Sequence, residues 1–462
     1  MSSMNIFTKI KNFFSKIPFG AAPTFILIVC ALSSIYLLTH PVKKRKADIV
    51  FYTFARSHKP AYVNAIAAFE SNNPGVKVDL QLVDATAVSR RLQAAFMSDV
   101  DVPDIVEVLD DDLGVFFRGP LKDIGFWDIT DKLKSSGLYD KIIKSRLNVC
   151  SSRGRIFGIP HDVHPVMIAY RRDIFQKEGI NPNNIKTWDD FIKIGRKLTK
   201  DLDGDGIIDR YMMELWCNNS DHFYILLLQR GGDYFDDNGN LTMDTPLVRE
   251  LIRFYIPLAA GKNKIGNDMG WGKILTQSLE NDYFICFFCP DWRTKIIEQD
   301  VPSMNGKLAL MPLPAWNNCK RRTSVYGGTM LGITKKCKNK NLVWKFAQYL
   351  YFSKNDLGKR FKDLNIIPPY PESWTHPAFD EKRPFWSNQK IGKLYTSLAP
   401  DVPPVHSHPY RGYARGKMGE VLIECANYYK KHGENGFDNF IKKTLKEKTD
   451  EIKLQMARNP YQ

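Results

Sequence analysis

Between Ala47 and Val108 short apolar, β-forming runs alternate with stretches of helical spacing, and this rhythm is the strongest constraint on the fold. Ala47 to Phe54 reads as a strand, Ala61 to Ser71 as a helix carrying Ile66, Ala67 and Phe69, and Val76 to Val83 as a second strand. Asn72-Asn73-Pro74-Gly75 makes the turn before that second strand. Ala85 to Met97 spaces as a helix and Pro103 to Val108 as a third strand. A β-α-β-α-β order predicts an α/β sheet with right-handed crossovers.

The pattern continues without repeats or low-complexity segments. Strands are predicted at Gly154 to Pro160, Val166 to Tyr170, near Phe284, at Lys307 to Pro312 and at Thr329 to Thr334. Helices are predicted at Asp173 to Glu178, Pro246 to Leu258, Asn341 to Phe352 and Phe437 to Ala457. Another begins at Thr187, an N-cap with Asp190 placed to complete a variant capping box. A chain of 462 residues suits two lobes, or one large domain with insertions.

The N-terminus carries a separate signal. Ala21 to Leu38 is almost wholly apolar and just long enough to span a bilayer. Lys9, Lys11 and Lys16 precede it, and Lys43-Lys44-Arg45-Lys46 follow. No small-x-small cleavage site follows the run, so it reads as a retained anchor. Lipid attachment at Cys30 is disfavoured because Val29 is bulky and the apolar run continues past it. Residues 1–46 are thus expected to be a stub, a transmembrane anchor and a basic linker; cations flank both sides of the run, so the cytoplasmic placement of the stub rests on the resemblance given below. The net charge of +16 bears on solubility and partners. Without zinc-finger spacing, an RNA-binding motif or a heptad-plus-basic region, nucleic acid is not an expected partner.

Several landmarks occur in one order: Pro103-Asp104-Ile105-Val106, Gly154-Arg155-Ile156-Phe157-Gly158-Ile159-Pro160, Ala169-Tyr170-Arg171-Arg172-Asp173-Ile174-Phe175 and Thr187-Trp188-Asp189-Asp190-Phe191. Pro290-Asp291-Trp292, Leu310-Met311-Pro312-Leu313-Pro314, Tyr326-Gly327-Gly328 and Trp344-Lys345-Phe346-Ala347 come later. Together, from about Ile49 to Trp374, they resemble the extracellular solute-binding proteins of the maltose-binding type. Arg171 departs from the family's usual Asn. The resemblance implies a two-lobed, type II periplasmic-binding fold: two α/β lobes joined by a hinge. It implies crossings near Gly158, Leu310 and Phe352, so that residues 48–157 and 311–352 make one lobe and 158–310 and 353–462 the other. It further implies a monomer held at the inner membrane with its soluble part outside the cytoplasm. That part would capture a carbohydrate in the interlobe cleft and deliver it to the permease of an ABC importer. The alternative is a membrane-anchored sensor or interaction module on the same fold.

A sugar needs flat aromatic faces for its C–H surfaces and polar groups for its hydroxyls, placed where strands end. Phe54, Arg56 and His58 follow the first strand, and Asp110, Asp111 and Asp112 follow the third. The competing reading of the three acids is a solvated loop or helix cap. His161, Asp162, Val163 and His164 follow the first expected crossing, with polar hinge packing as the competing reading. His161 and His164 form an HxxH pair, but no third zinc ligand accompanies them. Asp291, Trp292 and Arg293 with Tyr326 and Gly327 form a fourth cluster. Trp216, Asn218, Asn219, Asp221 and Trp271 form a looser set.

Asp201, Asp203, Asp205 and Asp209 alternate around Gly206 with the Ile207 carbonyl between, the spacing of a calcium loop. The acid that should close it is replaced by Met212, so an acidic turn with internal hydrogen bonds is the other reading. The role is structural either way, and no cofactor is required. Of the eight cysteines, Cys286 and Cys289 make a CxxC in an apolar stretch, read as buried thiols rather than a redox or metal site. No nucleophile elbow, phosphate loop or HExxH occurs. A glycosidase pair of Asp110 with Asp162 or Asp291 is the only catalytic option, and the chain is read as a non-enzyme.

Overall fold

The computed structural model describes residues 20–39, 47–270, 272–317 and 320–459. Among the described residues twelve strands form: β1 (Ile49–Thr53), β2 (Val78–Leu82), β3 (Ile105–Leu109), β4 (Ser151–Ser152), β5 (Arg155–Ile156), β6 (Ile159–Pro160), β7 (Val166–Arg171), β8 (Tyr211–Glu214), β9 (Gly266–Asn267), β10 (Phe284–Pro290), β11 (Leu308–Pro312) and β12 (Thr329–Ile333). They make two five-stranded sheets and one small hairpin, β4–β5.

The first sheet has the order β2-β1-β3-β12-β6. β1 runs parallel to β2 and β3, and β12 runs antiparallel to β3 and β6. The second has the order β11-β7-β10-β8-β9, with β10, β8 and β9 parallel and β7 antiparallel to β10 and β11. Every residue of β7 and β10 is buried. Neither alternates apolar with polar residues, and apart from the terminal Arg171 of β7 both are near-continuous apolar runs, as strands covered on both faces are. The Thr187 capping box forms: its Oγ accepts from the Asp190 amide at 3.2 Å, and the Asp190 carboxylate accepts from the Thr187 amide at 2.9 Å.

The chain changes sheets between β6 and β7, through residues 161–165. It returns later than expected. Met311 and Pro312 belong to β11 in the second sheet, and the segment beyond stays with that sheet. Leu313 bonds Arg322, Ala315 pairs with Thr187, and the Thr323 hydroxyl bonds Val166. The first sheet resumes only at Thr329. The expected crossing at Leu310 is therefore corrected to residues 326–328, because β11 uses its whole length in pairing with β7. The third expected crossing, at Phe352, also moves. Helix Lys354–Leu364 still packs on helix His58–Ser71 of the first sheet's layer, and the chain passes beside the first crossing where Val163 bonds the Ile367 carbonyl.

Helices Asp221–Gln229 and Arg411–His432 were not anticipated. The second packs along helix Pro246–Ala260 and, at its N-terminal end, against helix Asp110–Phe116. Residues 49–462 form one compact unit, and the N-terminal segment forms another. In the latter, Ala21–Thr39 is a 19-residue helix whose large apolar side chains are exposed. It is long and apolar enough to cross a membrane.

Candidate binding site

The parallel strands β8, β9 and β10 end on one edge of the second sheet, and a cavity opens there. Its volume is about 350 Å³, and it is lined by Trp216, Asn218, Asn219, Asp221, Gly270, Trp292 and Tyr326. Trp216 follows β8, Gly270 follows β9 and Trp292 follows β10. Ligand sites of open α/β sheets lie at such strand ends.

Each lining group is held by a specific contact. The Trp292 indole donates to the Tyr326 carbonyl at 2.9 Å, and the two rings meet edge to face with centroids 5.5 Å apart. The Tyr326 hydroxyl donates to Asp221 at 2.9 Å. Burial, reinforced by that carboxylate, raises the Tyr326 pKa well above the usual phenol value. Burial likewise raises Asp221. Trp216 stacks on the fully buried His222, with centroids 4.2 Å apart and planes inclined by 17°. Burial and the neighbouring Arg293 hold that imidazole neutral. The residues between the rings and the first sheet are Gly327 and Gly328. Gly327 has φ +87°, where a side chain would be strained, and a Cβ on Gly328 would stand 2.4 Å from the Arg146 guanidinium.

The acids after β3 meet this site through one helix. Arg415 pairs with Asp111 and, at 2.6 Å, with Asp221. Arg411 pairs with Asp110 at 3.4 Å. Arg415 thus joins the end of a first-sheet strand to the wall of the second-sheet cavity. Asp111 is half-buried and does not line the cavity. Asp110 is buried, its amide bonded to Gly328, and burial next to Asp110 raises the pKa of Asp112.

The remaining expected contacts are placed elsewhere. Phe54 is half-buried against the core and Arg56 is exposed. His58 and His161 are buried beside Glu107. Burial pushes the Glu107 pKa up, but His58, His161 and the Thr53 hydroxyl outweigh it and hold it at about 2. Asp162 is fully buried between Arg146 at 3.4 Å, His161 at 3.3 Å and His164 at 3.0 Å. Asp291 is fully buried and accepts from His164 at 2.6 Å and from the Ile367 amide at 2.6 Å. Arg293 is fully buried against Glu214 at 2.9 Å and the Phe288 carbonyl at 2.8 Å. None of these lines the cavity, which leaves the polar hinge reading for His161, Asp162 and His164. The HxxH pair, which lacks a third ligand in sequence, does not converge on a metal either. His164 Nδ1 and Nε2 face Asp291 and Asp162, so His164 has no nitrogen left for a metal shared with His161. Trp271 lies outside the described residues, although its neighbour Gly270 lines the cavity.

In the acidic loop, Asp201 accepts from the Gly204 and Gly206 amides at 2.7 and 2.8 Å, and Asp209 from Leu202 at 2.6 Å. Asp203 accepts from Asp205, and Asp205 from Ile207. These amide bonds lower the Asp201 pKa. Carboxylate oxygens of Asp201, Asp203 and Asp209 come within 4.8 Å of one another, and Asp205 is not among them. Cys286 and Cys289 lie three apart on β10, so they point to opposite faces. Burial raises both thiols, Cys289 to about 12.

Sequence reasoning missed Arg411 and Arg415 because it missed their helix. The signal was present: Ala414, Met418, Val421, Leu422 and Cys425 are buried at helical spacing, and the two arginines lie one turn apart.

The profile of the bacterial extracellular solute-binding proteins matches residues 55–356. An arabinooligosaccharide-binding protein of Bacillus subtilis (strain 168) is 24% identical over 400 residues, covering 83% of this chain and 90% of its own length. Among solved structures, the sugar-binding protein MalE from Xanthomonas citri aligns with a TM-score of 0.73 at 17% identity, over 88% of this chain and 98% of that one. An ABC transporter associated binding protein from B. animalis subsp. lactis Bl-04, in complex with beta-1,6-galactobiose, aligns with a TM-score of 0.67 at 19% identity, over 88% of this chain and 98% of its own. The paired sheets have the two-lobed binding-protein fold of these structures. With well over half its length matched, and with its strands paired in that fold, the chain belongs to the bacterial extracellular solute-binding proteins.

Proposed function

We propose that this protein captures an oligosaccharide in the cavity between Trp216, Trp292, Tyr326 and Asp221 and delivers it to the permease of an ABC importer. The observation that carries the reading is the lining itself. Two indoles and a phenol offer flat apolar faces, while Asp221, Asn218 and Asn219 offer hydrogen-bonding groups beside them. The volume falls within the roughly 300–1,000 Å³ of small-molecule sites. The arabinooligosaccharide-binding relative and the galactobiose complex support the oligosaccharide class. Bending about residues 161–165, 326–328 and 365–368 would open and close the site, with ligand biasing the closed state. Helix Ala21–Thr39 would tether the binding unit to the outer face of the cytoplasmic membrane.

Thermal unfolding against a panel of oligosaccharides, monosaccharides, polyols and peptides tests the reading. A ligand at a hundredfold excess over its Kd adds about 2.7 kcal/mol of stability and raises Tm. A rise is expected with one oligosaccharide class. Trp292→Ala should weaken that binding by about 2 kcal/mol, roughly thirtyfold. A rise only with a peptide or polyol would overturn the substrate class while leaving the fold in place.

A further inference from the structure

A second cluster of ligand-type side chains lies away from the cavity. His58 opens helix His58–Ser71, Glu107 sits within β3, and His161 begins the first crossing. One donor atom from each lies within 4.8 Å of the other two, and all three residues are buried. His58 Nδ1 stands 3.4 Å from Glu107 Oε2, and the His58 and His161 rings are 4.6 Å apart at their centroids. A distance of 3.4 Å is long for a hydrogen bond. It matches the edge, roughly 3.3–3.4 Å, of a tetrahedron of nitrogen and oxygen donors about 2.0–2.1 Å from zinc. None of the three residues lines the cavity that holds Trp292.

The groups behind these donors are those that metal ligands require. Glu107 Oε1 accepts from the Tyr62 hydroxyl and, at 2.9 Å, from Tyr351. Glu107 Oε2 accepts from Thr53 at 2.5 Å. His161 Nδ1 lies 3.3 Å from Asp162, the carboxylate–imidazole arrangement that orients the opposite ring nitrogen toward a metal. The nearby cation Arg360 is paired with Asp356 at 2.8 Å, and the buried anions beside the donors are Glu107 and Asp162. A cavity of about 10 Å³, lined by His161, Arg360, Leu357, Leu364, Ile366 and Pro368 but not by His58 or Glu107, lies beside the cluster.

We propose that His58, Glu107 and His161 bind one zinc ion, with a water as fourth ligand, and that this ion fastens the first crossing to the core of the first sheet. The three donors come from β3, the start of a helix beside β1, and the segment leaving β6. An ion there ties the hinge to the lobe that carries it and is structural, since it has no open position toward the sugar cavity.

The full chain, purified in detergent and stripped with a chelator, should take up one equivalent of zinc in calorimetry and gain several degrees in Tm. Cobalt substitution should give the intense visible bands of a tetrahedral site without a thiolate charge-transfer band, which excludes binding through the free cysteines. His161→Gln and Glu107→Gln should each weaken zinc binding by at least tenfold. His58→Cys should keep the stoichiometry and add a thiolate band to the cobalt spectrum, a readout that a merely destabilised variant cannot produce. Failure of zinc to bind stoichiometrically would overturn the proposal. So would zinc uptake that survives His161→Gln and is lost in Asp201→Asn, or a wild-type cobalt spectrum dominated by thiolate.

Discussion

His164 sits with one ring nitrogen on Asp162 and the other on Asp291. Burial alone would lower its pKa, but the two carboxylates outweigh it and raise the value to about 10. A group whose folded pKa is raised contributes stability that is complete below its unfolded value, near 6.5, and is lost as pH climbs through the folded value. The protein should therefore lose stability between about pH 6.5 and 10 through this residue. Urea midpoints across that window check it: His164→Gln should be less stable at pH 6, and the gap to wild type should narrow as pH rises. Asp162 and Asp291 are the charged groups in contact with the ring, so the difference between the two proteins reports on it.

Arg293 and Glu214 make a fully buried pair under the cavity. Arg293→Met alone leaves a buried carboxylate without its cation and should cost about 3–5 kcal/mol. Adding Glu214→Leu should recover most of that loss, because two well-packed apolar groups carry no desolvation penalty. Denaturation of the single and double variants measures both. From sequence, Arg293 beside Trp292 reads as a ligand contact. Adjacent residues at the start of helix Asp291–Asp300 point apart, however, and only Trp292 faces the cavity.

Among the elements, helix Trp188–Leu198 shows how far local signals reach. Its capping box was legible because both partners lie three residues apart in one chain. Thr187→Ala should cost about 1 kcal/mol, read as a lower denaturant midpoint with sugar affinity unchanged. Helix Asp221–Gln229 was not legible. Its residues from His222 to Gln229 are all buried, so it has no amphipathic period to detect. Helix Arg411–His432 buries Ala414, Met418, Val421, Leu422 and Cys425 at helical spacing, but Tyr413 and Ile423 stand exposed on its other side, so the contrast between its faces is weak. The cost of missing it was the link from Asp111 through Arg415 to Asp221.

For the whole molecule, the two compact units make different contributions. A chain beginning at Lys46 should remain soluble, keep its melting temperature and sugar affinity, and leave the membrane fraction when expressed cells are fractionated. Loss of folding in that truncated chain would show that the N-terminal unit does more than tether.

The α/β alternation and the apolar N-terminal helix follow from local spacing and composition, as do the strand-end positions of Trp292 and Tyr326, while the two-lobed class was implied by the family resemblance of ordered landmarks. Periodicity, turn chemistry and strand-end position act within a few residues of one another. Tertiary structure alone decided three further matters. The crossings moved because β11 pairs along its whole length and holds Met311 and Pro312 in the second sheet. Asp291 and Arg293 became interior partners rather than cavity residues because each found a buried opposite charge far along the chain, and Asp162 was drawn inside between nearby Arg146, His161 and His164. His58, Glu107 and His161 converged because β3, its neighbouring helix and the first crossing pack together. Pairings between residues so far apart leave no periodic trace in the chain, and only the packed sheets bring them within bonding distance.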